Sequence, residues 1–173
     1  MGQPSFDLLI SAEAIAQRVS ELGAQISAEY GERPLVLIGV LKGSFMFLAD
    51  LIRHIRCPVR VEFIGTKSYA GTSTSGEVQL TKDLDKPIEG EDVLLVEDIV
   101  DTGLTLNYLR QMLAQRGPAS LRIVAFLDKP ARRRIEVCAD YVGFVIEDRF
   151  VVGYGLDFEQ RYRNLKDVCV LIP

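Results

Sequence analysis

Two stretches of this chain, LVLIGVL at 35–41 and VLLV at 93–96, are apolar at every position. A strand with one wet face alternates apolar and polar residues, whereas a strand covered on both faces reads as an unbroken apolar run. Such strands need a layer on each side, and the segments around them can supply it. Ser11 is placed to cap a helix whose apolar face is Ile15, Val19, Leu22 and Ile26, with Gly31 as its stop. Residues 44–55 return to helical spacing through Phe45, Leu48 and Ile52, and 104–116 form a third helical stretch ending near Gly117-Pro118. Val59, Val61 and Phe63 alternate with polar residues as a half-buried strand does. Further strands are predicted at 121–127, 141–146, 151–154 and 168–172, with a helical turn at 159–164. Buried strands alternating with helices predict an α/β fold: a mainly parallel, twisted sheet flanked by helices and joined by right-handed crossovers. No repeat or linker divides the sequence, so residues 1–173 read as a single domain.

Bulk properties exclude several functions. With 20 basic and 24 acidic residues the net charge is −4, which disfavours a nucleic-acid surface. No apolar run approaches the roughly 20 residues that span a bilayer, and the N-terminus lacks the basic and apolar regions of a secretory signal, so no membrane role and a cytoplasmic location are expected. Cys57, Cys138 and Cys169 are too far apart for a CxxC pair and lie in or beside apolar stretches, which predicts buried free thiols. His54, the only histidine, falls in a helical pattern and is assigned no chemistry. The run Arg132, Arg133, Arg134 reads as a solvated charge cluster.

Ligands of open α/β sheets sit beyond the carboxyl ends of the strands. Three segments leave strands with polar chemistry there: LKG at 41–43, EDIVDTGLT at 97–105 and LDK at 127–129. The second is the richest. Glu97 and Asp98 follow VLLV directly, and desolvating two carboxylates is costly unless a ligand or cation compensates them. Asp101, Thr102, Gly103, Leu104 and Thr105 then open a helix, where free backbone N–H groups, a glycine and two hydroxyls suit a phosphate dianion. A ribose 5-phosphate answers both halves of that description. Taken alone, Asp101 could equally be a helix cap. Asp98 and Asp101 are three residues apart, so they cannot fill the places of a D-x-D-x-T phosphatase motif.

The segment VEDIVDTG at 96–103 resembles the phosphoribosyl pyrophosphate motif of type I phosphoribosyltransferases. With VLKGSFMF at 40–47, KSYAGTSTSG at 67–76, LDKPARR at 127–133 and FVVGYGLDFEQRYRNL at 150–165, the resemblance to the bacterial hypoxanthine-guanine branch of that family covers nearly the whole chain. It implies the family fold, with a small hood and a flexible lid loop over the sheet. It also implies purine salvage: transfer of the 5-phosphoribosyl group from phosphoribosyl pyrophosphate to N9 of hypoxanthine or guanine, with Mg2+ as cofactor. Relatives are commonly homodimers or homotetramers.

The resemblance also implies roles. Lys42 and Gly43 would form the pyrophosphate loop, with a cis peptide between Leu41 and Lys42. Glu97 and Asp98 would hold the ribose hydroxyls and their magnesium ion, Asp157 would help to hold a second, and residues 101–105 would cradle the 5-phosphate. Asp101 would be the general base, taking the purine proton as N9 attacks C1 of the ribose. Arg163, with Lys42, would neutralise the departing pyrophosphate. Lys129 would donate to the 6-oxo group, Phe150 would stack on the ring, and the Val151 backbone would read its other edge. Ser68 and Tyr69 would belong to the lid that keeps water from an oxocarbenium-like centre. Leu104 stands where some relatives carry lysine; its side chain cannot donate to phosphate, though its backbone N–H can. Two other readings are a metabolite-sensing regulator built on the same fold, which should carry an added DNA-binding element or a basic face, and a sister transferase for xanthine, adenine or a pyrimidine.

Overall fold

The computed structural model describes residues 5–68 and 78–172. Its main sheet has the order β4(Val78–Lys82), β3(Val59–Ser68), β2(Leu35–Leu41), β5(Asp92–Val100), β6(Ser120–Asp128), β7(Tyr141–Val145). All neighbouring pairs are parallel except β3 with β4. Alternate residues of the central strands feed two separate cores, as the period of two requires. Leu35, Leu37, Leu94 and Val96 pack with helices α1(Ala12–Tyr30) and α2(Phe45–Ile52), whereas Val36, Ile38, Val93 and Leu95 pack with α3(Leu104–Ala114). This is the twofold covering that the continuous apolar runs demand.

Helix α1 starts and stops as its sequence predicts. The Ser11 hydroxyl accepts from the Ala14 N–H at 3.2 Å, and Gly31, at φ 61°, donates to Ser27. Its apolar stripe of Ile15, Val19, Leu22 and Ile26 is buried, so truncating Leu22 to alanine would cost about 2–5 kcal/mol. His54 is exposed and its backbone and Cβ press on Gly23 of α1, where a side chain could not fit.

Several expectations are corrected. The expectation for β3 holds only in part: Phe63 packs against the core, but Val59 and Val61 on the same face are exposed, while Glu62 and Ile64 on the other face are buried. Helix α2 stops at Ile52 and packs on β2 and α1, so the start of β3 is left uncovered on its valine face. Glu62 tolerates burial because its carboxylate accepts from Arg60 at 2.8 Å and from the Asp85 N–H at 3.1 Å. The buried face of α2 is Phe47, Leu48 and Leu51, with Phe45 exposed. Cys138 is exposed rather than buried; Cys57 is buried and Cys169 partly so. Residues 159–164 form no helical turn, because Glu159, Gln160 and Tyr162 all have positive φ.

A second, antiparallel sheet has the order β1(Ser5–Ile10), β9(Val168–Ile172), β8(Val151–Val152) and forms the hood beside the main sheet. Strands β1 and β4 have no strong sequence signal, since β1 is exposed at every residue but Ile10. No helix among the described residues is long and apolar enough to cross a membrane.

Candidate active site

Chain direction creates the site. From β2 the chain passes through α2 to β3 on one side, and from β5 through α3 to β6 on the other. The gap between β2 and β5 is therefore a topological switch point, where open α/β sheets bind ligands. The β2–β5 ladder ends at Gly39↔Val96, while β2 continues along β3 to Leu41 and β5 continues along β6 to Val100. The strands part there, and a cleft of about 430 Å3 opens among their ends. Strand β5 thus runs beyond the apolar 93–96 core and carries Glu97 and Asp98 on its final residues.

Lys42, Gly43, Glu97, Asp98, Thr105, Asp157 and Arg163 all line this cleft. The Leu41–Lys42 peptide is cis, as the resemblance implies. Glu97 is buried, with no cation bonded to it among the described residues, and its carboxyl titrates well above the usual range because burial disfavours the charge and Asp98 lies beside it. Burial likewise pushes Asp98 up to about 6, against the opposing pull of the Ile99 N–H and the Arg163 guanidinium. Two hard carboxylates held this close fit Mg2+, which usually takes one or two protein carboxylates and completes its shell with substrate oxygens and water. Among the described residues no group of three acidic, histidine or cysteine side chains forms a protein-only metal cage. Asp157 is already engaged, ion-paired with Arg163 at 2.9 Å and accepting from the Gln160 N–H at 2.8 Å.

Helix α3 begins at Leu104 behind Gly103, which sits at φ 86° and has no side chain to cap the helix. Its first intrahelical bond runs from the Asn107 N–H to Gly103, and the Leu104 N–H reaches the Thr102 hydroxyl only at 3.4 Å. This is an open helix start suited to an anion. The Asp101 carboxylate does not cap it but accepts from Arg132 Nε at 3.0 Å.

Lys129 follows β6, is buried, and has Asp148 as its ion-pair partner at 3.9 Å. Its N–H donates to Val100 at 2.9 Å, which sets it beside the end of the strand that leads to Asp101. Phe150 is 54% exposed and meets Phe158 edge-to-face at 5.7 Å, so it is not a core residue and its ring remains available for stacking. Val151 is buried in β8, and neither it nor Phe150 lines the β2–β5 cleft. Of the lid residues, Ser68 is described only as the end of β3, paired with Val78, and Tyr69 lies outside the described residues, as do 70–77.

Sequence reasoning missed three site residues. The arginine run is exposed at Arg132 and Arg134, as expected, but two of its members are engaged: Arg132 pairs with Asp101, and the half-buried Arg133 donates through Nη1 to the Asp101 carbonyl at 2.8 Å while its other amino group binds the Asp128 carboxylate. Charge runs are usually solvated, and only the proximity of acidic strand ends in space distinguishes this one. Gln160 is the third. Its side-chain oxygen accepts from both Lys42 Nζ and Arg163 Nη2, each at 3.2 Å, bridging two cations of the cleft.

A sheet with this switch point, a carboxylate pair at one strand end and an open helix start beyond it define a binder of phosphorylated ribose. The chain belongs to the phosphoribosyl transferase domain family, whose pattern it matches over residues 7–159. It is 53% identical to hypoxanthine phosphoribosyltransferase of Haemophilus influenzae over 163 residues, covering 92% of this chain and 91% of that one. It is 49% identical to hypoxanthine-guanine phosphoribosyltransferase of Bacillus subtilis, over 96% of this chain and 93% of that one. Among solved structures, hypoxanthine-guanine phosphoribosyltransferase of Bacillus anthracis superposes with a TM-score of 0.93 at 44% identity, over 99% and 100% of the two chains. A mutant of the Trypanosoma cruzi hypoxanthine enzyme, solved in complex with its product IMP, gives 0.91 at 47% identity, over 98% of this chain and 91% of that one.

Proposed function

We infer that this chain is a purine-salvage transferase that moves the 5-phosphoribosyl group from phosphoribosyl pyrophosphate to N9 of hypoxanthine or guanine, giving IMP or GMP and pyrophosphate. The observation that carries this reading is the parting of β2 and β5, which gathers the acidic pair and the Lys42–Gly43 turn around one cleft. Its supports are the open start of α3 and the buried amine of Lys129.

In this reading the 5-phosphate lies against residues 101–105, where Thr102 and Thr105 offer hydroxyls and Gly103 and Leu104 offer backbone. Glu97 and Asp98 hold the ribose hydroxyls and Mg2+, whose contribution when bound is to neutralise pyrophosphate charge; Asp157 is the candidate for a second ion. Lys42, Gly43 and Arg163 receive the pyrophosphate. The C1–N9 bond forms as the bond from C1 to the pyrophosphate oxygen breaks, and Asp101 accepts the proton that the purine ring releases. For that, its carboxylate must exchange Arg132 for the purine. Lys129 donates to the 6-oxo group, Phe150 stacks on the ring, and the Val151 backbone faces the opposite edge. Ser68 and Tyr69 belong to the lid. The whole chain acts as one domain, in the cytoplasm and as a homodimer or homotetramer.

The test is incubation with phosphoribosyl pyrophosphate, Mg2+ and each purine in turn, measuring nucleotide and pyrophosphate. Stoichiometric IMP or GMP with pyrophosphate is expected. Hydrolysis alone, or turnover of adenine at the rate of hypoxanthine, would overturn the assignment.

A further inference from the structure

We propose that Arg133 is a positioning residue for the transfer, holding the Asp101 backbone in register with Lys129. The inference rests on the phosphoribosyl-transfer reading above. Strands β5 and β6 run in parallel register to Val100↔Asp128, so Asp101 and Lys129 leave adjacent strand ends side by side. The donation from the Lys129 N–H to Val100 ties this end of the ladder, and Asp101 lies one residue beyond it.

Arg133 supplies the next tie. Its guanidinium reaches across both strand ends, donating to the Asp101 carbonyl at 2.8 Å and pairing with the carboxylate of Asp128, the residue before Lys129. The side chains of Arg133 and Asp128 are only 18% and 19% exposed, so the pair is poorly screened, unlike the more open Arg132–Asp101 contact. Two further bonds follow, as the N–H groups of Arg134 and Ile135 donate to Thr102 at 2.9 and 3.3 Å. The Arg133 stem also covers Gly103, where a Cβ would come within 3.2 Å of Arg133 Cδ and 2.7 Å of Val137. The loop that carries the base and the phosphate cradle is thus clamped to the strand end that carries the 6-oxo donor.

The chemistry needs a guanidinium. A planar fork can satisfy a carbonyl and a carboxylate at once, whereas an ammonium is a point charge on a flexible stem. With both acceptors engaged, Arg133 does not line the β2–β5 cleft, and its influence reaches the reaction through Asp101. A shift of about 1 Å in a reacting group can cost on the order of 100-fold in rate.

The experiment compares wild type, Arg133→Met, Arg133→Lys, Asp128→Asn and the double variant Arg133→Met/Asp128→Asn by steady-state kinetics and thermal unfolding. We expect kcat with hypoxanthine to fall about 10- to 100-fold in Arg133→Met while the protein remains folded at assay temperature. Arg133→Lys should not restore it. Asp128→Asn should lose less, and the double variant should be no slower than Arg133→Met alone, since one tie is lost once. A lowered unfolding temperature with kcat unchanged per folded molecule would make Arg133 merely structural and overturn the proposal. So would full rescue by lysine or additive losses in the double variant. If Arg133→Met does not fold, Arg133→Lys and Asp128→Asn decide: unchanged kcat in both refutes the tie. An inactive wild type would instead refute the transferase reading itself, so the two failures are distinguishable.

Discussion

The Gly43 backbone lies against the Asp98 carboxylate so closely that a Cβ on Gly43 would stand 2.6 Å from Asp98 Cγ. Gly155, at φ 97°, closes on the Gly43 carbonyl from the other side. The turn leaving β2 therefore packs closely between the acidic strand end of β5 and the segment after β8. Gly43→Ala should push Asp98 from its place in the cleft and raise the KM for phosphoribosyl pyrophosphate at least about tenfold, with a fall in kcat. Kinetics at saturating hypoxanthine check this; an alanine variant with wild-type kinetics would show that the contact is slack.

Lys129 should govern the choice of base. Its amine is buried and answers only to Asp148 at a loose 3.9 Å among the described residues, so a ligand acceptor is its natural partner. Hypoxanthine and guanine offer an oxygen there, while adenine offers an amino donor. The wild type should therefore prefer hypoxanthine over adenine by on the order of 10⁴ in kcat/KM. Lys129→Gln, whose side-chain oxygen can accept, should narrow that ratio mainly by losing hypoxanthine activity. Competition assays with the two bases measure it directly.

Asp101→Asn should retain the fold and the Arg133 tie, because that tie is made to the backbone carbonyl. It removes the proton acceptor, so kcat should fall about 10²- to 10⁴-fold while binding of ribose 5-phosphate changes little. Turnover and calorimetric titration separate the two effects. Undiminished turnover would mean that another group takes the purine proton.

How much of this could be read from residue order depends on the range of the interactions. The central strands and α1 follow from local patterns: unbroken apolar runs, a serine cap and a glycine stop. Residues 97–105 declare themselves because charge follows a buried strand directly. The mostly exposed strand β1 does not, since it is held chiefly by backbone pairing with β9 at the far end of the chain. The uncovered valine end of β3 was hidden for a related cause: alternation gives the period, but how far along a face is covered depends on where α2 ends. Arg133 and Gln160 could not be found locally either, because their partners Asp101 and Lys42 are distant in sequence.

The Glu97–Asp98 pair should give the ligand-free protein a distinctive pH dependence. Burial raises both carboxyls, Asp98 to about 6, so between the ordinary carboxylate range and about pH 6 the folded chain holds protons that the unfolded chain has released. Stability from these groups is present at the acid end of that window and declines as pH rises through it. Asp98→Asn removes the titrating charge and should be more stable than wild type at pH 7.5, with the difference shrinking toward pH 4.5. Mg2+ with phosphoribosyl pyrophosphate should act in the opposite sense, stabilising wild type most at the higher pH, where the carboxylates are ionised, and stabilising Asp98→Asn less. Thermal unfolding across this range, with and without the ligands, checks both signs. If Asp98→Asn is less stable than wild type at pH 7.5 without ligand, the buried charge is already compensated by Arg163, and no cation is needed to account for the pair.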